Sequence, residues 1–199
     1  MAGERLETAD LTVNGIAGDR GALVVRENLM ITARTHHRLL RHHATIGPDG
    51  EPLVDGLPWS SPEVAEWITA DAGAGARLVR YDGPERFDVL PLLVATDGAI
   101  AALGEDRRRL RPNIVIGGAE GLVEREWEEK RLRMGAAVIH VQDLRQRCVM
   151  TTYDPDTLEQ NIGVLKRIAR EFDGSMALNC SVLIPGTVRL GDPVDIFEQ

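Results

Sequence analysis

Turn residues cut this chain into short apolar runs and leave room for few helices. The chain has 199 residues, with 20 glycines and 10 prolines. Leu11-Thr12-Val13 stops at Asn14-Gly15. Ala22 to Arg26 and Leu29 to Thr32 flank Glu27-Asn28 as a hairpin, and 47–52 is a loop of turn residues. Ala76 to Arg80, Asn113 to Ile116, Ala136 to Val141, Cys148 to Thr152, Val182 to Ile184 and Thr187 to Leu190 are further β-type runs. Asp88 to Ala95 ends at Thr96-Asp97, an N-cap for a short helix over Gly98 to Leu103. Ser60 and Glu63 have capping-box spacing around Pro62, with Val64, Trp67 and Ile68 on one face. The clearest helix opens at Asp154-Pro155-Asp156, carries Leu158, Ile162, Leu165, Ile168, Ala169 and Phe172 at helical spacing, and stops at Gly174. Alternating βαβ units are not evident. The expected fold is therefore mainly β (α+β), a twisted or closed sheet with a few short helices.

Composition removes several function classes. A net charge of −8 argues against a general nucleic-acid binder. No apolar run has the length of a membrane span, and the first ten residues are polar and acidic, so neither membrane nor signal peptide is expected. Two cysteines cannot supply a four-cysteine zinc site or cluster. A reduced, cytoplasmic protein is the expectation. No glycine-rich dinucleotide loop, Walker loop or Gly-x-Ser-x-Gly elbow is present. Lys130 and Lys166 are the only lysines, which genomic base composition explains as well as function does. Only the placement of particular arginines is informative.

Four segments could carry chemistry. Cys148 follows Arg145-Gln146-Arg147, and cations beside a thiol favour the thiolate that grips soft metals or attacks as a nucleophile. Packing as a small hydrophobe is the alternative there, and the favoured reading for Cys180. Arg107-Arg108-Arg109-Leu110-Arg111-Pro112-Asn113 is a basic run entering a strand, with Pro112 holding Arg111 extended. Its arginine and asparagine can donate to phosphate, although in isolation it reads as a solvated loop. Gly18-Asp19-Arg20 is a turn in which Arg20 can reach an anion. His36, His37, His42 and His43 read as a polar surface segment, because Arg34, Arg38 and Arg41 would repel a dication.

Taken in order, these segments resemble the MOSC domain of molybdenum-cofactor sulfurases and amidoxime-reducing components. The matching elements are Gly18-Asp19-Arg20, Ile31-Thr32-Ala33-Arg34, Arg111-Pro112-Asn113-Ile114-Val115-Ile116 and Glu126-Trp127. They continue with Arg147-Cys148 through Thr157, and Pro185-Gly186-Thr187 through Val194. The resemblance implies a MOSC-type β-barrel, with 1–85 as a truncated N-terminal-like β segment and 86–199 as the core. In the family a strand and a lysine–serine pair come before the point where this sequence starts. The resemblance further implies a molybdenum cofactor (molybdopterin), with Cys148 as catalytic residue and metal ligand. Arg20, Thr96, Asp97, Arg111, Asn113 and Arg147 match cofactor-contacting positions. It implies a small-molecule substrate, N-hydroxylated or N-oxide-like, and a separate electron donor of ferredoxin, cytochrome or flavoprotein type. The alternative is a non-catalytic cofactor carrier or sulfur-handling module using Cys148.

Overall fold

A computed structural model describes residues 3–198. Met1, Ala2 and Gln199, the ends of the two expected segments, lie outside the described residues. The strands are, in chain order, β1 (Thr8–Thr12), β2 (Gly15–Ile16), β3 (Ala22–Arg26), β4 (Leu29–Ile31), β5 (Ala44–Ile46), β6 (Pro52–Val54), β7 (Leu57–Pro58) and β8 (Arg77–Arg80). They continue as β9 (Leu92–Thr96), β10 (Ile114–Ile116), β11 (Arg131–Met134), β12 (Ala137–Gln146), β13 (Ser175–Ile184), β14 (Gly186–Arg189) and β15 (Val194–Phe197). The α-helices are α1 (Pro62–Ala72), α2 (Asp97–Leu103) and α3 (Ile162–Glu171). The mainly β class with a few short helices is what the turn-broken sequence dictates.

The chain divides into two compact units. Among the described residues, the first comprises 3–5, 18–86 and 155–159. The second comprises 6–17, 87–154 and 160–198. The first holds the sheets β4-β3-β8 and β5-β6-β7 together with α1. The inward face of α1, Val64, Ile68 and Ala72, packs with Val24, Leu39, Val54 and Ala76. Pro62 starts α1, but the N-cap is Ser61, whose Oγ accepts from Val64 N–H at 3.4 Å. Ser60–Glu63 is therefore not the cap pair: the helix begins one residue later than the spacing suggests.

The second unit holds a curled, half-barrel sheet in the order β10-β9-β13-β12-β11-β15, and a small sheet β14-β1-β2. All pairs in the large sheet are antiparallel except β9 with β10, which α2 joins as a single βαβ crossover. Leu92, Val94, Leu132, Ile139, Val141, Leu178 and Cys180 alternate inward to form its core. A further cluster packs Val164, Ile168 and Phe172 of the α3 region against Ala99, Leu103 and Leu110. The helix expected from Asp154 begins instead at Ile162, capped by Asn161, whose side chain accepts from Gly163 N–H. Residues 155–159 fold with the first unit. β13 starts at Ser175, earlier than the apolar run at Val182 suggested, because its first half is buried on both faces and shows no alternation.

Candidate functional site

The β12–β13 pair delivers Cys148. Its register shifts between Val141 and Asp143 and again between Leu144 and Gln146, and opposite them buried Ala177 takes a left-handed φ of 66°. Such bulges bend a strand and re-aim its end. After β12, Arg147 N–H donates to the Gly174 carbonyl at 2.9 Å, and the chain leaves the sheet. Cys148 to Thr152, expected as a strand, is a tight turn. The Cys148 carbonyl accepts from the Thr151 amide at 3.1 Å and hydroxyl at 2.9 Å, and Thr152 Oγ1 donates to Val149 O at 2.6 Å. Threonine hydroxyls returning to carbonyls offer the backbone an alternative to a ladder. Cys148 is half-buried, and its side chain makes no capping bond to this turn.

The basic segment packs beside that turn. Arg109 is buried, not solvated. Its Nη1 donates to Thr152 O at 3.1 Å and its Nη2 to Asp154 Oδ2 at 3.0 Å, with Glu105 Oε2 at 3.2 Å from Nε. In return, Arg147 Nη2 donates to Leu110 O at 2.7 Å. Arg111 is not extended. Its φ of 56° is left-handed, so the chain avoids the right-handed helical region before Pro112 by turning the other way. Asn113 brackets Leu93: its amide donates to Leu93 O at 2.7 Å and its Oδ1 accepts from Leu93 N–H at 2.9 Å, extending the β9–β10 pairing.

The charges here do not balance. Burial, then the Arg145 charge, then that of Arg111, hold the Arg147 guanidinium down to about 10, against the pull of Cys148 and Asp88. Arg145 pairs with Asp88 and lies 3.5 Å from Asn179 Oδ1, while Asn179 donates to Asp143 Oδ1 at 2.6 Å. Arg147 Nε is buried and, among the described residues, has no hydrogen-bond partner. An unmatched guanidinium beside two others, around a half-buried thiol, suits an anionic ligand with a soft centre.

The other expected residues are placed differently. Thr96 is buried as the N-cap of α2: its Oγ1 accepts from Ala99 N–H at 3.1 Å and donates to Glu124 Oε2 at 3.0 Å. Asp97 accepts from the amides of Gly118, Ala119 and Gly98, and the first two above all hold its carboxyl below the usual range. That pins the 118–121 loop so closely that a Cβ on Gly98 would strike the carbonyls of Ala119 and Gly121. Arg20 belongs to the first unit, where it sits at a left-handed φ of 53° with Asp19 Oδ2 at 3.7 Å. Cys180 is fully buried, and burial pushes its thiol far up, so it packs.

Two features escaped the sequence reading. Three consecutive arginines give no sign of which turns inward, and Arg109 does. His42 is buried, not on the surface: Nδ1 lies 2.6 Å from Asp55 Oδ2, Nε2 lies 2.9 Å from Asp71 Oδ2, and the ring stacks on Trp67. Among the described residues no group of three or more His, Cys, Asp or Glu side chains is arranged to hold a metal ion.

A curled half-barrel sheet whose central strand β12 runs out into the Cys148 turn defines a mainly β domain. Residues 97–195 match the family model described as MOSC domain, and the chain is a MOSC-domain protein. It is similar to human mitochondrial amidoxime-reducing component 1 (29% identical over 131 residues, 56% of this chain and 38% of that protein). Human mitochondrial amidoxime reducing component 2 is 31% identical over 126 residues, 54% of this chain and 37% of that protein. The matches thus span well under half the length of each relative. Among solved structures, the YUAD protein from Bacillus subtilis is 12% identical with a TM-score of 0.43, covering 96% of this chain and 97% of that one. Among the described residues no helix is long and apolar enough to cross a membrane.

Proposed function

We propose that the chain binds a pterin-based molybdenum cofactor, with Cys148 as the metal's protein ligand, and reduces N-hydroxylated or N-oxide-type small molecules. Electrons come from a separate redox protein of ferredoxin, cytochrome or flavoprotein type, since the sequence offers no cluster or dinucleotide motif. The observation that carries the reading is the half-buried Cys148 thiol beside the buried Arg147 guanidinium, which donates to a neutral carbonyl and has arginines as neighbours. When bound, the cofactor supplies two-electron oxygen-atom chemistry at its metal.

The chain's own residues hold and tune. Of the two thiols, Cys148 is the accessible one, since Cys180 is enclosed in the core. Arg147 and Arg111 face the anionic part of the ligand; Arg20 is a candidate contact by the family resemblance alone. Asn113 has committed its carbonyl oxygen to Leu93, so only its amide nitrogen is suited to an acceptor on the ligand. Thr96 and Asp97 serve by fixing the start of α2 and the 118–119 backbone. The likeness to amidoxime-reducing components and the MOSC-domain match over 97–195 support the same assignment.

The test is metal content and turnover of protein made in a cofactor-replete host. Wild type is expected to carry molybdenum and reduce an amidoxime with an artificial donor. C148A is expected to lose the metal while its circular dichroism is unchanged. Molybdenum without turnover favours the carrier alternative. Wild type without molybdenum overturns the assignment, and equal metal in C148A removes Cys148 as ligand.

A further inference from the structure

We propose that Arg109 is the positioning residue that fixes the Cys148 turn against the strand entrance carrying Arg111. This rests on the Cys148 site described above and adds how that site is held. Two arginines make three contacts between the segments: Arg109 reaches Thr152 O and Asp154, and Arg147 reaches back to the carbonyl of Leu110, the residue after Arg109. Each segment therefore anchors the other by a guanidinium, one on either side of Cys148.

The two arginines do different work because their charges are met differently. Arg109 is 8% exposed and faces two carboxylates, Glu105 at 3.2 Å and Asp154 at 3.0 Å. Its charge is locally neutralised, so it supplies geometry and little field. Arg147 donates to a neutral carbonyl and sits among like charges, so it supplies field. A lysine at 109 is a point donor and cannot span Thr152, Asp154 and Glu105 as the planar fork does. With Arg109 gone, the 148–152 turn keeps its internal threonine bonds but loses its tie to the arginine segment.

The experiment alkylates Cys148 in the full-length, metal-free chain with iodoacetate and with iodoacetamide, following the Cys148 peptide by mass spectrometry. Both reagents attack through the same thiolate, so the ratio of their rates cancels the thiolate fraction and reports the positive field at the sulfur. In R109Q the iodoacetamide rate should rise and the iodoacetate-to-iodoacetamide ratio should fall about threefold. R109K should behave as R109Q does, because it restores charge but not the fork. R147Q should lower the ratio with little change in the iodoacetamide rate. If R109Q accelerates both reagents equally, or R109K restores the wild-type ratio, the positioning role is overturned. Should R109Q fail to fold, D154N removes one arm of the clamp and should lower the ratio by a smaller factor; an unchanged ratio in folded D154N also overturns the role. Because no metal takes part, a wild type that lacks molybdenum would sink the cofactor reading and leave this result standing.

Discussion

Each unit contains a cluster of charged side chains at least partly removed from water, and the two are built to different standards. In the first unit, Asp71, with 1% of its side chain exposed, faces Arg41 at 2.6 Å and His42 at 2.9 Å, while Asp55 takes the other ring nitrogen of His42 and the His43 amide. Arg41 and both ring nitrogens of His42 thus meet two carboxylates. In the second unit, Arg147 has Arg145 and Arg111 as charged neighbours, beside Asp88 and the Cys148 thiol, and its own guanidinium donates to a neutral carbonyl. The closed cluster is architecture. The open one is what the proposed cofactor site rests on, because a charge met only by a neutral carbonyl is a charge a ligand can meet.

The comparison breaks most visibly by stability. Asp71→Ala strips the buried carboxylate from beneath His42, and breaking such a pair costs about 3–5 kcal/mol, measurable by urea unfolding. Arg147→Gln removes a hydrogen bond but also relieves repulsion, so it should cost less than about 1 kcal/mol. Equal losses would mean that both clusters are architectural. A middle-sized effect sharpens the contrast. Inorganic phosphate at about 100 times its Kd should stabilise the metal-free wild type by about 2.7 kcal/mol, followed by thermal unfolding, and should do little for Arg147→Gln.

The smallest effect is a pH dependence. Burial tends to raise the Asp55 carboxyl, but the His43 amide and His42 outweigh it, and the net shift is downward. The unfolded chain thus binds this proton more readily than the folded one. The stability it confers is complete above the ordinary carboxylate range and is lost as the pH falls through the lower folded value. Asp55→Asn should flatten that acid limb, and the stability difference from wild type should shrink below a pH of about 4.

What the residues alone disclosed follows the range of the interactions concerned. Local chemistry was readable: the Thr96 cap, the amphipathic run from Ile162 to Phe172, the hairpin at Glu27-Asn28, and the cations beside Cys148. Interactions between distant positions were not. His42 finds its carboxylates 13 and 29 residues away, and Arg109 finds Thr152 43 residues away. No spacing rule encodes either. Arg111 failed for another reason: a proline excludes one backbone basin for the residue before it without choosing between the others. The 155–159 stretch carries helical chemistry at Asp154-Pro155-Asp156, yet tertiary packing claims it for the first unit.

The threading of the chain carries its own lesson. β1 pairs with β14, matching Thr8 to Arg189, and Thr187 Oγ1 reaches Asp10 across 177 positions. A ribosome making this polypeptide releases one edge of that ribbon well before the other. Completion of the second unit therefore waits for β14 to emerge, and for the closure of a long loop. Nascent chains stalled before residue 186 should remain protease-sensitive at their amino ends, however well the intervening segments have already settled.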